Sequence, residues 1–203
     1  PMAYIRIFCL SILFLLPPVV EAQDDAYLPL SDEEYQTRHT AGFILAYSER
    51  HEQAAWVAYE LTAGEVTGDV GRTDNFRSDG SITTGSASLS DYNGSGYDRG
   101  HLAPAGDMKW SRSAMSPSFF LSNMSPQLPA FNRGIWRSLE SAVRGWAESK
   151  GSIYGVTGPV FSPYGDEIGS NGVDIPTQGN ALINVNGIGK KRLAGIRGLV
   201  TVN

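Results

Sequence analysis

The sequence holds a single cysteine, Cys9, and few charged residues of either sign. One cysteine in 203 residues excludes an internal disulfide framework and a zinc site built on two or four thiolates. Charged residues make up 18% of the chain and hydrophobic residues 41%, a balance that excludes an intrinsically disordered protein. No linker or internal repeat divides the chain. We therefore expect one folded domain, without disulfides, that is long enough to bury a core.

Long apolar runs are also missing from the sequence. A run of apolar residues over positions 7–16 follows Arg6 and precedes the small residue Ala22. It is shorter than the roughly 20 apolar residues of a membrane-spanning helix, and its flanks predict a secretory signal peptide over residues 1–22. An uncleaved membrane anchor is the alternative interpretation. With the signal peptide removed, we expect a secreted or periplasmic protein without stable membrane association.

Charge is distributed unevenly along the chain. The net charge of −5 argues against a polyanionic partner when it is taken as an average. Six acids and no base lie in residues 21–34, so we expect a solvated acidic N-terminal segment over residues 23–41. Between Arg99 and Lys150 seven bases stand against three acids, which gives this region a local charge of +4. The middle of the chain can therefore meet an anionic partner.

Strand patterns occur on both sides of a polar region. Residues 42–47 and 54–61 are aromatic and aliphatic with a polar break between them, which predicts a hairpin. Residues 64–96 are rich in Gly, Ser, Thr, Asp and Asn, which predicts a long surface connection. Residues 152–157 read as a further buried strand that ends at the Gly-Pro pair after it.

One amphipathic helix is predicted over residues 131–148. Its apolar positions follow a helical period and form one stripe of about 140°. They are Ile135, Trp136, Leu139, Ala142, Val143, Trp146 and Ala147. Glu140 falls at the edge of this stripe, where an unpaired carboxylate is costly. It either forms an ion pair with Arg137 or Arg144, or it faces a metal or polar site.

The sequence around His101 is chemically suggestive. Arg99 and His101 are separated by one glycine, so on an extended segment their side chains point to the same side. A fixed cation and a titratable base would then lie together. Imidazole has a reference pKa near 6.5 and can accept a proton at neutral pH, as an attack on phosphorus requires.

Several sequence blocks share a known pattern. They are Asp98-Arg99-Gly100-His101, residues 121–127 (LSNMSPQ), residues 131–136 (FNRGIW), Leu139-Glu140 and residues 154–160 (YGVTGPV). Together they resemble the DNA/RNA non-specific endonucleases, which include secreted bacterial nucleases and mitochondrial endonuclease G, within the ββα-metal (His-Me finger) superfamily. The resemblance implies an α+β fold, in which a central antiparallel sheet is flanked by helices and the ββα-metal motif spans about residues 97–148.

Matching positions imply roles for individual residues. His101 would be the general base, Asn132 the direct protein ligand of Mg²⁺, with Mn²⁺ as an alternative ion, and Glu140 a group that orients the metal's waters. Arg99 would contact the scissile phosphate. An N-cap of the helix is the alternative role for Asn132. Further phosphate contacts could come from Arg77, Arg133 and Arg137.

The implied reaction is one-metal hydrolysis of DNA and RNA to products with 5′-phosphates. Contacts to phosphate and sugar would make it insensitive to sequence and to the sugar. An inactive relative that binds nucleic acid without turnover is the alternative. A serine hydrolase is disfavoured, because Ser95 lacks the Gly-x-Ser-x-Gly frame. The sequence is also compatible with an oligomer.

The sequence departs from the family pattern at two places. Where some members have an upstream arginine, this chain has Asp74 between Arg72 and Arg77, and we favour Arg77 as the substitute. The endonuclease domain is assigned to residues 42–178. After it, residues 179–203 form a short basic tail that is divergent or truncated relative to the family.

Overall fold

The main layer of the protein is a five-stranded antiparallel sheet. The computed structural model describes residues 28–29 and 34–177 and the backbone of 180–186. The predicted signal peptide lies outside these residues. The strands of the sheet are β1 (Gln36–His39), β2 (Ile44–Ser48), β3 (Gln53–Thr62), β6 (Ser152–Pro159) and β9 (Asn180–Asn186). They lie in the order β1-β2-β3-β6-β9. With the helices below, this arrangement confirms the mixed fold with an antiparallel sheet.

The predicted hairpin is formed by β2 and β3, whose register places Ile44 opposite Ala58 and Ser48 opposite Gln53. β3 is central and buried on both faces, which explains its nearly continuous apolar sequence. β6 continues through Pro159, beyond the end predicted at the Gly-Pro pair. Proline is tolerated there because the pairing with β3 ends at Thr157, so that Pro159 is paired only with β9, as on an edge strand. β1 belongs to the predicted acidic segment over residues 23–41, and β9 belongs to the predicted tail over residues 179–203. The sheet therefore extends into both segments.

Short elements connect the sheet to the rest of the molecule. The two remaining strand pairs are β4 (Asp98–His101) with β5 (Met124–Gln127), and β7 (Glu167–Ile168) with β8 (Val173–Asp174). The short helices are α1 (Ala63–Val66), α2 (Leu89–Tyr92) and α3 (Arg112–Met115). The long helix comprises a π-helical start, Phe131–Trp136, and α4 (Arg137–Lys150).

The prediction of a surface connection over residues 64–96 is wrong in part. Asp79, Ile82 and Tyr92 from this region are buried. Asp79 accepts a hydrogen bond from the Ser122 hydroxyl at 2.6 Å and forms an ion pair with Arg38. The polar composition therefore reflects a buried hydrogen-bonding role as well as solvent exposure.

The predicted helix packs its apolar stripe on the sheet. Leu139, Val143 and Ala147 are buried in one cluster with Tyr59 and Ile153 of the sheet. Truncating such a leucine to alanine typically costs about 2–5 kcal/mol. Among the described residues, no helix combines the length and apolar character needed to cross a bilayer.

The start of the helix differs from the prediction. Residues 131–136 form a π-turn, and Ile135, which the sequence places in the core stripe, is 37% exposed. A turn of π-helix contains more residues than a turn of α-helix. The side chain of Ile135 is therefore rotated away from the core, while Trp136 remains buried.

Candidate active site

A two-stranded pair followed by a helix carries the residues singled out in the sequence. β4 pairs antiparallel with β5, with Asp98 opposite Gln127 and His101 opposite Met124. Arg99 and His101, two positions apart on β4, have side chains on the same side of the strand. Gly100 between them is a steric requirement, because a Cβ at this position would overlap the Gln127 side chain.

His101 is held neutral in an aromatic pocket. It is 8% exposed, and its Nε2 atom is buried without a hydrogen-bond partner in the described part of the chain. The ring meets Phe76 and Phe119 edge-on, at centroid distances of 5.7 and 5.3 Å. Burial, reinforced by the positive charges of Arg72 and Arg99, lowers the pKa of His101 to about 3. An unprotonated ring is therefore available at neutral pH.

The backbone that carries His101 is fixed by three side chains from different elements. The Trp136 indole donates to the His101 carbonyl at 3.1 Å, and the Thr157 hydroxyl donates to the Leu102 carbonyl at 2.8 Å. The Asn123 side chain bonds both backbone groups of Ala103, at 2.9 and 3.0 Å. The site is consequently anchored to the helix, to β6 and to the turn before β5.

Asn132 faces Asp98 with its amide nitrogen. Its Nδ2 donates to the Asp98 carboxylate at 3.0 Å, while Arg133 donates two hydrogen bonds to the same carboxylate at 2.8 and 2.6 Å. Arg133 and Asn132 together lower the pKa of Asp98. The Oδ1 atom of Asn132 accepts no hydrogen bond from the described residues, so it is available to a cation. The helix has Ala130 at its N-cap position, without a side-chain cap, so the N-cap role of Asn132 is not observed.

Glu140 is partly buried and has no ion-pair partner among the described residues. The alternative pair with Arg144 does not form, because Arg144 binds the fully buried Asp107 at 2.7 Å. Arg137 is exposed and forms no ion pair there either. Burial, aided by the charge of Asp107, raises the pKa of Glu140 to about 7, against the opposing effects of Arg144, Arg72 and Arg137. Because burial disfavours the ionised form of this carboxyl group, a nearby cation would stabilise that form more than it would stabilise an exposed carboxylate.

Asp107 is fully buried, and its charge contributes to the raised pKa of Glu140. Besides Arg144, it accepts a hydrogen bond from the Tyr59 hydroxyl at 2.8 Å. Burial raises the pKa of Asp107, and the partnership with Arg144 opposes this. Sequence reasoning missed this carboxylate, since its partners lie 48 and 37 positions away along the chain.

Arg72, on the other side of Asp74 from Arg77, is the flanking arginine whose positive charge lowers the pKa of both His101 and Glu140. Its guanidinium lies 4.9 Å from the Phe119 ring centroid and pairs with Asp74 at 2.5 Å, and its charge affects both His101 and Glu140. Arg77, the predicted substitute, is engaged elsewhere. It donates to the backbone and hydroxyl of Ser116 and lies over the Phe120 ring at 4.0 Å.

The remaining arginines divide between site and surface. Arg99 lies over the Phe76 ring at 4.5 Å, and its Nε is buried without a partner among the described residues. Arg133 is 71% exposed and is engaged with Asp98. Arg99 is therefore the cation of β4 with hydrogen-bonding capacity left for a ligand.

The donor set of the site suits a hydrated cation. Within the described ranges, no group of three or more His, Cys, Asp and Glu side chains is arranged to hold a metal. The available donors are the Asn132 amide oxygen and the Glu140 carboxylate. Mg²⁺ prefers oxygen ligands and keeps several waters, so this small set fits Mg²⁺ better than zinc.

Comparison with known proteins defines the family. The sequence profile of the DNA/RNA non-specific endonucleases matches residues 28–182. The chain belongs to this family.

Relatives and a solved structure agree with this assignment. Mitochondrial endonuclease G of Homo sapiens is 37% identical over 154 residues, covering 70% of this chain and 52% of the relative. Nuclease C1 of Cunninghamella echinulata var. echinulata is 40% identical over 126 residues, covering 60% and 50%. EndoG, in a crystal structure of the EndoG/EndoGI complex, superposes with a TM-score of 0.65 at 33% identity, covering 70% of this chain and 64% of that chain. The chain spans about half the length of these curated relatives.

Proposed function

We propose that the chain is a metal-dependent endonuclease that hydrolyses DNA and RNA phosphodiester bonds without sequence or sugar specificity and leaves 5′-phosphate ends. The observation that carries the proposal is the juxtaposition of His101 and Arg99 on β4, where the His101 Nε2 and the Arg99 Nε have no hydrogen-bond partner among the described residues. A base and a cation in this arrangement can activate water and hold a phosphate at the same time. Membership of the nuclease family supports the assignment.

In this proposal β4, β5 and the long helix form the ββα-metal motif. Asn132 would hold Mg²⁺ directly through its Oδ1 atom, which accepts no hydrogen bond from the described residues, and Glu140 would act through water; Mn²⁺ is the alternative ion. Mg²⁺ supplies positive charge that offsets the negative charge developing on the phosphate and the leaving oxygen. Asp98 positions Asn132, because its carboxylate accepts a hydrogen bond from the Asn132 Nδ2 and thereby leaves Oδ1 for the ion.

The protein groups divide the remaining work. His101 accepts a proton from the attacking water, because its ring is unprotonated at neutral pH. Arg99 and Arg72 place positive charge beside the phosphate. Both cations are held against aromatic rings, which limits their side-chain freedom before substrate arrives. Binding through phosphate charges also predicts that activity falls as salt concentration rises.

Cleavage assays test the proposed function. Supercoiled plasmid and a structured RNA are incubated with the purified chain in Mg²⁺ or in EDTA, beside His101→Ala and Asn132→Ala. His39→Ala is the matched control, because His39 is exposed on β1. We expect Mg²⁺-dependent loss of both substrates that either site variant abolishes and the control retains. Binding without cleavage by a folded protein would support the inactive-relative hypothesis instead, and cleavage of DNA but never RNA would contradict sugar non-specificity.

Export is part of the proposal and rests on Arg6, the apolar run 7–16 and Ala22. The human relative is named as mitochondrial, so the experiment must separate the two destinations. The full chain is expressed in a bacterium, the periplasm is released, and the exported protein is sequenced from its N-terminus. We expect it to begin at Gln23. Retention of the uncleaved chain in the cytoplasm or the membrane would contradict export.

A further inference from the structure

A groove opens beside the candidate active site. It has a volume of about 440 Å³, and its walls include Tyr97, Pro126 and Phe131. Tyr97 directly precedes Asp98, Phe131 directly precedes Asn132, and Pro126 lies opposite Arg99 in the β4–β5 pair. The groove is thus lined by direct neighbours, in sequence or in strand register, of Asp98, Asn132 and Arg99, and the proposed mechanism does not use it.

The chemistry of the groove is aromatic with one acidic group. Tyr164, which also lines it, is 95% exposed, and Leu128 is 59% exposed. The groove therefore exposes an aromatic ring and an apolar side chain to solvent within one concave surface. Asp166 also lines it, is exposed, and has no hydrogen-bond partner for its carboxylate among the described residues. A carboxylate repels a phosphate but accepts hydrogen bonds from amino groups.

We propose that this groove binds an unpaired nucleobase of the substrate strand, next to the phosphate that is cleaved. The inference rests on the proposed endonuclease function. Aromatic side chains such as Tyr164 bind bases by stacking, whatever the base, and a space of this volume lies in the range of small-ligand pockets. The division of charge fits a nucleotide, since the arginines of the site face the phosphate and Asp166 faces the amino-bearing edge of adenine, cytosine or guanine.

This subsite favours single-stranded substrate. A base inside a duplex must leave its stack before it can enter the groove, which costs free energy that an unpaired base does not spend. The enzyme therefore cuts both forms and cuts flexible single strands faster. The preference is carried by base stacking in the groove rather than by the phosphate contacts.

The test uses end-labelled single-stranded oligonucleotides in which one base is replaced by an abasic site, placed in turn at each position. Cleavage at every phosphate is read on a denaturing gel. We expect the native protein to lose about 5- to 150-fold in rate at the phosphate beside the abasic site, the range that one stacked base represents. Tyr164→Ala should lose a similar factor on the intact strand and become insensitive to the abasic site, whereas Tyr164→Phe should behave like the native protein.

Controls separate this inference from the function on which it rests. Leu89→Ala removes an exposed apolar side chain outside the groove and should leave every rate unchanged. The His101→Ala protein reports binding of the same oligonucleotides by fluorescence anisotropy, independently of cleavage. Mg²⁺-dependent cleavage with no abasic effect would overturn the subsite and leave the nuclease standing.

Other outcomes are equally decisive. Abasic-sensitive binding without any cleavage would support the subsite and overturn the nuclease. The absence of both binding and cleavage would overturn both. Sedimentation velocity tests whether a second copy of the chain occupies the groove instead. A concentration-dependent dimer that Tyr164→Ala abolishes would show such an interface and would overturn the subsite.

Discussion

Replacing His101 with asparagine tests the burial on which the proposed mechanism depends. The folded protein lowers the pKa of this histidine from its ordinary 6.5 to about 3. Below pH 6.5 the unfolded chain therefore binds a proton that the folded chain does not. Stability from this source is present above pH 6.5 and is lost as the pH falls toward 3. His101→Asn has no group to titrate and should lack this dependence.

The magnitude follows from the two pKa values. Proton linkage between 6.5 and about 3 makes the folded protein less stable at pH 4 than at pH 7 by about 3 kcal/mol. This is a large share of the roughly 5–15 kcal/mol by which a domain is stable.

The assay is urea unfolding of native protein and His101→Asn at pH 7, 5 and 4. Other titrating groups contribute to both proteins, so the difference between the two pH profiles isolates the histidine. His39→Asn, at an exposed position, should follow the native profile. If the two profiles stay parallel within about 1 kcal/mol, the ring is not desolvated as described, and the argument for a base held neutral by burial fails.

Three further substitutions test the site. Arg72→Ala should lower the rate of plasmid cleavage about 100-fold, a typical loss for one charge-stabilising group. Arg77→Ala should change this rate little. A larger loss in Arg77→Ala than in Arg72→Ala would favour Arg77 as the phosphate contact. Asp98→Asn should raise the Mg²⁺ concentration for half-maximal cleavage about 10-fold, because Asn132 loses its carboxylate partner. An unchanged Mg²⁺ titration would contradict the proposal that Asp98 positions Asn132. Gly100→Ala should lower the thermal unfolding midpoint by at least several degrees, as followed by circular dichroism, and an unchanged midpoint would show that the strand pair yields.

Local patterns predicted much of the fold. The β2–β3 hairpin and the long helix follow from periodicity, and the shared side of Arg99 and His101 follows from alternation along one strand. These features depend on residues close together in sequence. The π-turn does not, and for that reason the exposure of Ile135 escaped the prediction.

Contacts between residues far apart in the sequence could not be predicted from local patterns. Asp74 adopts a positive φ of 49°, and Arg72 before it is carried to Phe119, a ring 47 positions later. Both Arg72 and Arg77 flank Asp74, so only the path of the chain distinguishes them. The bond between Asp98 and Asn132 spans 34 positions, and no pattern within either block predicts it.

The anchoring of residues 101–103 has a consequence for how the protein fails on heating. Their backbone groups are bonded by Trp136, Thr157 and Asn123, which belong to separate parts of the fold. The segment therefore has no local opening of its own, and its amides should exchange with solvent only when the whole domain unfolds. Thermal inactivation would then coincide with global unfolding rather than precede it.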